Sequence, residues 1–245
     1  MAIKELLKRS EEIINNNINI EGVGEILKIL NFPIPMEVLE EMELYTQYLP
    51  QNTDENYNLE KRCLHFLWDA LDKTPMSVIA NFAIPFRRMI ACKLFKSCGK
   101  NFIAEENVRF NVPDKIEIGD NVFINKGTFI DSKGGVKIGN SVGIGEGVNI
   151  FTHSHGEHDH SYRTYDQVVI GDYAKIYSNS IVVQGVNIEK QAIVAACALV
   201  NKDVKSNSLV AGIPAKFIRE RNTMDRNFED LGHIWLKNGM YQMEY

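Results

Sequence analysis

An aliphatic residue returns every six positions along the second half of the chain, at Ile170, Ile176, Val182, Ile188, Val194 and Val200. Two positions before each stands Val or a small residue: Val168, Ala174, Ser180, Val186, Ala192 and Ala198. The same step runs upstream through Ile118, Ile124 and Ile130, and again through Ile138, Ile144 and Ile150. A period of six fits neither a helix nor an alternating hairpin sheet. It fits short parallel strands on the flat faces of a solenoid, with a turn every six residues. One aliphatic per hexad then points inward, and Gly, Asn or Asp relieves backbone strain at the corners. Each buried Ile or Val contributes roughly 1.5–3 kcal/mol before entropy. A lone hexad cannot bury its own apolar face, so stability depends on stacking. With three hexads to a triangular coil, Ile118–Val200 supplies about four coils, and Phe102–Phe110 begins another.

The phase slips twice. Two extra residues enter between Ile130 and Ile138, around Gly134–Gly135, which predicts a widened corner. Between Ile150 and Ile170 the surplus is fourteen residues, which must leave the solenoid as a loop. Loops on rigid scaffolds are where function concentrates.

Upstream of Lys100 there are no hexads. Amphipathic helical patterns occupy Ile3–Ile14, Met36–Tyr48, Leu59–Leu71 and Ser77–Phe95, separated by Pro33, Pro35, Pro50, Asn52 and Pro75. The expected organisation is an α-helical region over 1–99, a β-helix domain over 100–221 and a tail over 222–245. The tail, with Trp235, reads as a cap on the solenoid or a surface against a neighbour.

Composition narrows the class. The 245 residues are 44% hydrophobic and 24% charged, as in an ordinary globular protein. A net charge of −5 argues against nucleic-acid binding. The most apolar stretch, Met76–Leu94, contains Pro85, Arg87, Arg88 and Lys93 and does not span a bilayer. It reads as a packed helix with its cations reaching water, or as a basic helix lying on a membrane. No secretory signal is visible at the start, and the four cysteines form no CxxC pair. Reduced thiols and a cytoplasmic location are the expectation.

The expelled loop carries His153, His155, His158 and His160, four of the six histidines in the chain. One reading is a metal site. His153-x-His155-x-Glu157-His158 is similar to the HxHxDH motif of metallo-β-lactamase-fold hydrolases, but only His233 remains downstream, and the flanking hexads are wrong for that sandwich. His153 and His158 also have the HxxxxH spacing of γ-type carbonic anhydrases, which share the solenoid. Those enzymes draw a further histidine from about two coils upstream, and none lies between His65 and His153. The other reading is general-base catalysis, in which a neutral imidazole takes the proton of an attacking alcohol.

Here the sequence resembles the hexapeptide-repeat O-acetyltransferases, which include galactoside and maltose acetyltransferases and enzymes that decorate surface polysaccharides. The resemblance runs from about Lys100 to Arg221. It rests on the Thr152-His153-Ser154-His155 element and on Asn201-Lys202-Asp203-Val204 through Ala211-Gly212-Ile213-Pro214-Ala215-Lys216-Phe217-Ile218-Arg219. It implies a left-handed coil, where crossover statistics alone favour a right-handed one. It implies acetyl-CoA as co-substrate, direct acetyl transfer to a hydroxyl of a sugar or glycan unit, and no metal. His155 falls on the base and His153 on a neighbouring variable position of the catalytic element. The family's CoA contacts map onto Ser178, Ala196, Asn201, Lys202 and Arg219, in a groove between two subunits of a homotrimer. Lys202, Lys205, Lys216, Arg219 and Arg221 form a basic cluster suited to a phosphorylated cofactor. Asn125 and Asp131 sit near positions that hold acceptor hydroxyls. This chain departs from the family at Tyr177, usually Gly, at Lys175, often Trp, and at Asn201, usually Thr or Ser. A zinc enzyme on the same solenoid, an N- or serine acetyltransferase, and a non-catalytic scaffold stay open alongside.

Overall fold

The computed structural model describes residues 3–16, 18–49 and 57–232. Pro50, Asn52, His233, Trp235 and the tail beyond Gly232 lie outside them. The chain divides into two compact units, Met1–Leu94 and Phe95–Tyr245.

The first unit is helical: α1 (Ile3–Asn15), α2 (Ile20–Ile29), α3 (Met36–Glu40), a 3₁₀ turn at Tyr45–Tyr48, α4 (Leu59–Leu71) and α5 (Ala80–Leu94). Its core is Val23, Ile26, Leu27, Leu64, Leu67, Trp68, Phe82 and Phe86, all fully buried. Asn58 caps α4, its side chain accepting from the Lys61 amide. Three expectations need correction. A helix over Met36–Tyr48 breaks after one turn, where Glu40, Glu41 and Glu43 crowd the negative end of its dipole. The α2 helix, capped by Asn19, escaped the pattern because Gly22 and Gly24 dilute its propensity. Arg87 and Arg88 do not reach water: both are buried, and Arg87 is ion-paired with buried Asp72. Among the described residues no helix is long and apolar enough to cross a membrane.

The second unit is a parallel β-solenoid of five complete coils, with a sixth begun by β18. Its first face stacks β1 (Ser97–Cys98), β4 (Ile116–Ile118), β7 (Val136–Ile138), β12 (Val168–Ile170) and β15 (Asn187–Ile188). The second face stacks β2 (Ile103–Ala104), β5 (Phe123–Ile124), β8 (Gly143–Ile144), β13 (Lys175–Ile176), β16 (Ile193–Val194) and β18 (Ser208–Ala211). There β19 (Lys216–Glu220) closes the sheet antiparallel to β18. The third face stacks β3 (Arg109–Phe110), β6 (Phe129–Asp131), β9 (Asn149–Phe151), β14 (Ile181–Val182) and β17 (Leu199–Val200).

The hexad aliphatics pair with one another from coil to coil, as in Ile118↔Ile138, Ile144↔Ile176 and Ile150↔Val182. All twelve, from Ile118 to Val200, are 3% exposed or less. Phe102 and Phe110 are buried in the first coil, as expected. Coils stack so closely that a Cβ on Gly119 would lie 2.7 Å from the Gly139 carbonyl carbon. This close approach explains the glycines that directly follow inward aliphatics.

The corner between the third and first faces is irregular. Stacked residues are 20 apart in the early coils, 32 apart across the histidine loop, and eighteen apart after it. Thus this corner is widened by two residues at Asn111–Lys115, by two at Gly134–Gly135, and by fourteen in the loop. The first widening, a 3₁₀ turn at Pro113–Lys115, went unnoticed in the periodicity.

Candidate functional site

The fourteen-residue excursion is a β-hairpin. Strands β10 (His153–His155) and β11 (Arg163–Tyr165) pair antiparallel, with His153 opposite Tyr165 and His155 opposite Arg163. Its tip is closed by Asp159, whose carboxylate accepts from the Ser161 hydroxyl at 2.6 Å and amide at 2.9 Å, which holds its pKa low. Thr164 and Gln184 tie β11 back to the next coil through their side chains at 3.0 Å.

The widened corner below makes room for the hairpin's root. The Gly134 amide donates to Thr152 Oγ1 at 2.7 Å, and the Thr152 hydroxyl donates to the Asp131 carbonyl at 2.7 Å. A Cβ on Gly134 would lie 2.5 Å from the Thr152 carbonyl oxygen. Gly135 takes φ +95, a backbone conformation that suits glycine. The two slips in the sequence period are therefore one feature: the smaller seats the larger.

His155 is half-buried, and its Nδ1 lies 2.8 Å from the His160 carbonyl oxygen. A carbonyl only accepts, so in the neutral ring the proton sits on Nδ1 and the lone pair on Nε2. The His160 ring stacks on His155 with centroids 4.0 Å apart and planes 7° apart. His153 meets His155 edge-on at 5.2 Å and stacks with Tyr165 at 6.4 Å. Burial holds the His153 pKa below the ordinary imidazole value; Asp131 pulls it up, while Lys133, His155 and Arg163 push it down. Its Nδ1 is 3.1 Å from Asp131 Oδ2 but out of line for a hydrogen bond, so it is buried without one. Among the described residues no three His, Cys, Asp or Glu side chains converge as a metal site would require.

The other sequence-predicted residues fall on two edges of the prism. Asn125, Ser178 and Ala196 stand at the corner between the second and third faces, in the second, fourth and fifth coils. The Cys197 amide next to Ala196 donates to the Ser178 carbonyl at 2.9 Å, which stacks the two coils there. Asp131, His153, His155, Asn201 and Lys202 stand at the other corner, between the third and first faces. Arg219 lies exposed on β19. One whole face separates the two edges, about six residues or at most ~20 Å. A single copy therefore does not gather these residues around one pocket. A cavity of about 560 Å³ lies beside Lys202, Lys205, Ser208, Ala215 and Phe217. Of the predicted site residues only Lys202 lines it, and it does not include the hairpin.

Residues that sequence reasoning missed surround the hairpin root: Asn111, Lys133 and Tyr165. Only the glycine pair beside Lys133 hinted at them. The departure at Lys175 is a buried amine, 6% exposed, whose Nζ donates to the Ser141 carbonyl at 2.7 Å. Burial, with Arg221 nearby, lowers its pKa to about 7.

Known proteins match from about half to most of the chain. "Putative acetyltransferase" of Saccharomyces cerevisiae is 34% identical over 137 residues, 54% of this chain and 70% of that protein. Galactoside O-acetyltransferase of Escherichia coli K12 is 29% identical over 147 residues, 58% of this chain and 72% of that protein. Among solved structures, galactoside acetyltransferase in complex with coenzyme A superimposes with a TM-score of 0.62 at 24% identity, over 86% of this chain and 100% of that one. No family model matches the chain. The chain belongs to the hexapeptide-repeat acetyltransferases.

Proposed function

We propose that this protein transfers an acetyl group from acetyl-CoA directly to a hydroxyl of a sugar or glycan unit, with His155 as general base. One observation carries this reading: His155 stands on an expelled hairpin with Nδ1 engaged by the His160 carbonyl and Nε2 left as a base. Nε2 takes the acceptor proton as the hydroxyl oxygen attacks the thioester carbonyl. Backbone N–H groups near Ser178 stabilise the tetrahedral oxyanion. Collapse expels the CoA thiolate, which recovers the proton from His155, so no covalent acyl-enzyme forms. The coenzyme A bound by the galactoside acetyltransferase that shares this fold supports the choice of donor.

The separation of the two edges supports a homotrimer. The outward residues of the third face are Arg109, Phe129, Asn149, Ile181 and Leu199, three of them half-exposed and apolar, where the first face presents Ser97, Glu117, Lys137, Val169 and Asn187, of which one is apolar. Copies packed through the third face set the Ser178–Ala196 edge of one beside the hairpin edge of the next. Acetyl-CoA then lies between them, against Ser178, Ala196, Asn201, Lys202 and Arg219, and the acceptor enters beside Asn125.

The test is release of free thiol from acetyl-CoA over a panel of sugars, amino sugars and serine. Turnover with hydroxyl acceptors is expected. Turnover confined to amines, or acetyl-CoA left unbound, would overturn the reading.

A further inference from the structure

The resemblance sets Asp131 against the acceptor, but its surroundings here leave no room for one. The Asp131 side chain is 3% exposed. Its Oδ2 accepts from Lys133 Nζ at 2.5 Å and from Asn111 Nδ2 at 2.9 Å, and faces His153 Nδ1 at 3.1 Å. Its Oδ1 accepts from the Lys133 amide at 3.3 Å. Lys133 is as deeply buried as its partner, with a side chain 4% exposed, and the Lys133 carbonyl is held by Lys115 Nζ at 3.2 Å. A carboxylate that binds a substrate hydroxyl needs an oxygen open to it; both of these are committed within the chain.

The same residue grips the hairpin twice. Its carbonyl takes the Thr152 hydroxyl, and its carboxylate stands against the His153 ring, which in turn lies edge-on to His155. Asn111 comes from the first widened corner, Lys133 from the second, and Thr152 and His153 from the hairpin root. The surplus residues of three successive coils thus stack into one column, with a charge pair at its centre.

We infer that Asp131 and Lys133 form a buried positioning pair that fixes the base-bearing hairpin, and that Asp131 does not bind the acceptor. The inference rests on His155 being the base. The pair acts through His153 and Thr152 and touches no reacting atom. A buried ion pair is poor evidence for stability and better evidence for a fixed geometry, because removing one partner strands the other.

The experiment compares the full-length wild type with Asp131→Asn, Lys133→Met and the double variant, using an acceptor found active in the panel. Each single variant is expected to lower kcat about 10–100-fold while the acceptor KM stays within about threefold. The double variant is expected to melt above Lys133→Met, since no charge is then left alone, and to lose no more activity than the worse single. Imidazole ¹⁵N spectra of the same proteins give a readout independent of any acceptor. His155 should show a single Nδ1–H tautomer in the wild type and a mixture in Asp131→Asn. If Asp131→Asn does not fold, the double variant carries the kcat and tautomer comparison. An acceptor KM raised tenfold or more at unchanged kcat would overturn the inference in favour of acceptor binding. Unchanged kcat and an unchanged tautomer would overturn it outright. A wild type without transferase activity sinks the proposed function instead, and the tautomer comparison still decides on the pair.

Discussion

The two edges that border the third face of the solenoid are built on opposite principles. The edge of Asn125, Ser178 and Ala196 turns in the same number of residues in every coil, with one coil's amide bonded to the preceding coil's carbonyl. The edge of Asp131, His153 and His155 gains two residues, then two, then fourteen, and fills the added space with Asn111, a buried Asp131–Lys133 pair and a histidine hairpin. A regular edge offers a long, straight wall, fit for an extended cofactor. An irregular edge can hold one titratable group at a fixed height above that wall. The proposed trimer would set the first kind of edge against the second.

The sharpest way to break the comparison is to empty the irregular edge of its base. His155→Ala should cut transfer by about 10²–10⁴ and leave acetyl-CoA affinity within about threefold, measured by calorimetry. His153→Ala, two residues away, should lose no more than about tenfold. A dead His153→Ala beside an active His155→Ala would reverse the assignment.

The next test disturbs the seat of the hairpin without touching a polar side chain. Gly134→Ala forces a Cβ to within 2.5 Å of the Thr152 carbonyl oxygen. It should cost about 1–3 kcal/mol of stability and lower kcat roughly tenfold, with the acetyl-CoA KM unmoved. Equal kcat in Gly134→Ala and wild type would separate the widened corner from the chemistry.

A smaller effect, of opposite sign, is expected at Lys175. Its folded pKa of about 7 lies below the ordinary 10.5, so the unfolded chain binds the proton more tightly. The penalty is complete below about pH 7 and fades as pH rises toward 10.5. Lys175→Met should therefore stabilise the fold, by up to a few kcal/mol at ~1.4 kcal/mol per pKa unit, and more at pH 6 than at pH 9. Thermal melts at the two values read it; a gain that grows with pH would contradict the sign.

Much of the solenoid was legible because its period is carried by residues close together in sequence. Ile118 through Val200 announced every coil they line, and the surplus before Ile170 announced a loop, which the structure shows as a hairpin. What escaped is what stacking alone brings together. Gly134 and Thr152 are separated by one coil in the chain and touch only because coils stack, so the link between the two phase slips could not be read from spacing. Lys133 looked like any corner lysine: its partner Asp131 is only two residues away, but nothing in the spacing shows that the stacked coils bury both. In the helical unit Arg87 read as a surface cation because Asp72, the partner that lets it be buried, belongs to the previous helix. The left hand of the coil came from resemblance, because spacing does not encode it.

Whether one active site needs both edges from two copies can be read by mixing two dead variants. His155→Ala destroys the irregular edge, and Ala196→Tyr blocks the regular one. In mixed assemblies refolded at equal ratio, a site is intact when its hairpin comes from an Ala196→Tyr copy and its wall from a His155→Ala copy. Random association into closed trimers makes about one site in four intact. With sites shared between copies, transferase activity should return to about a quarter of wild type on mixing; a mixture as inactive as either parent would rule the shared site out.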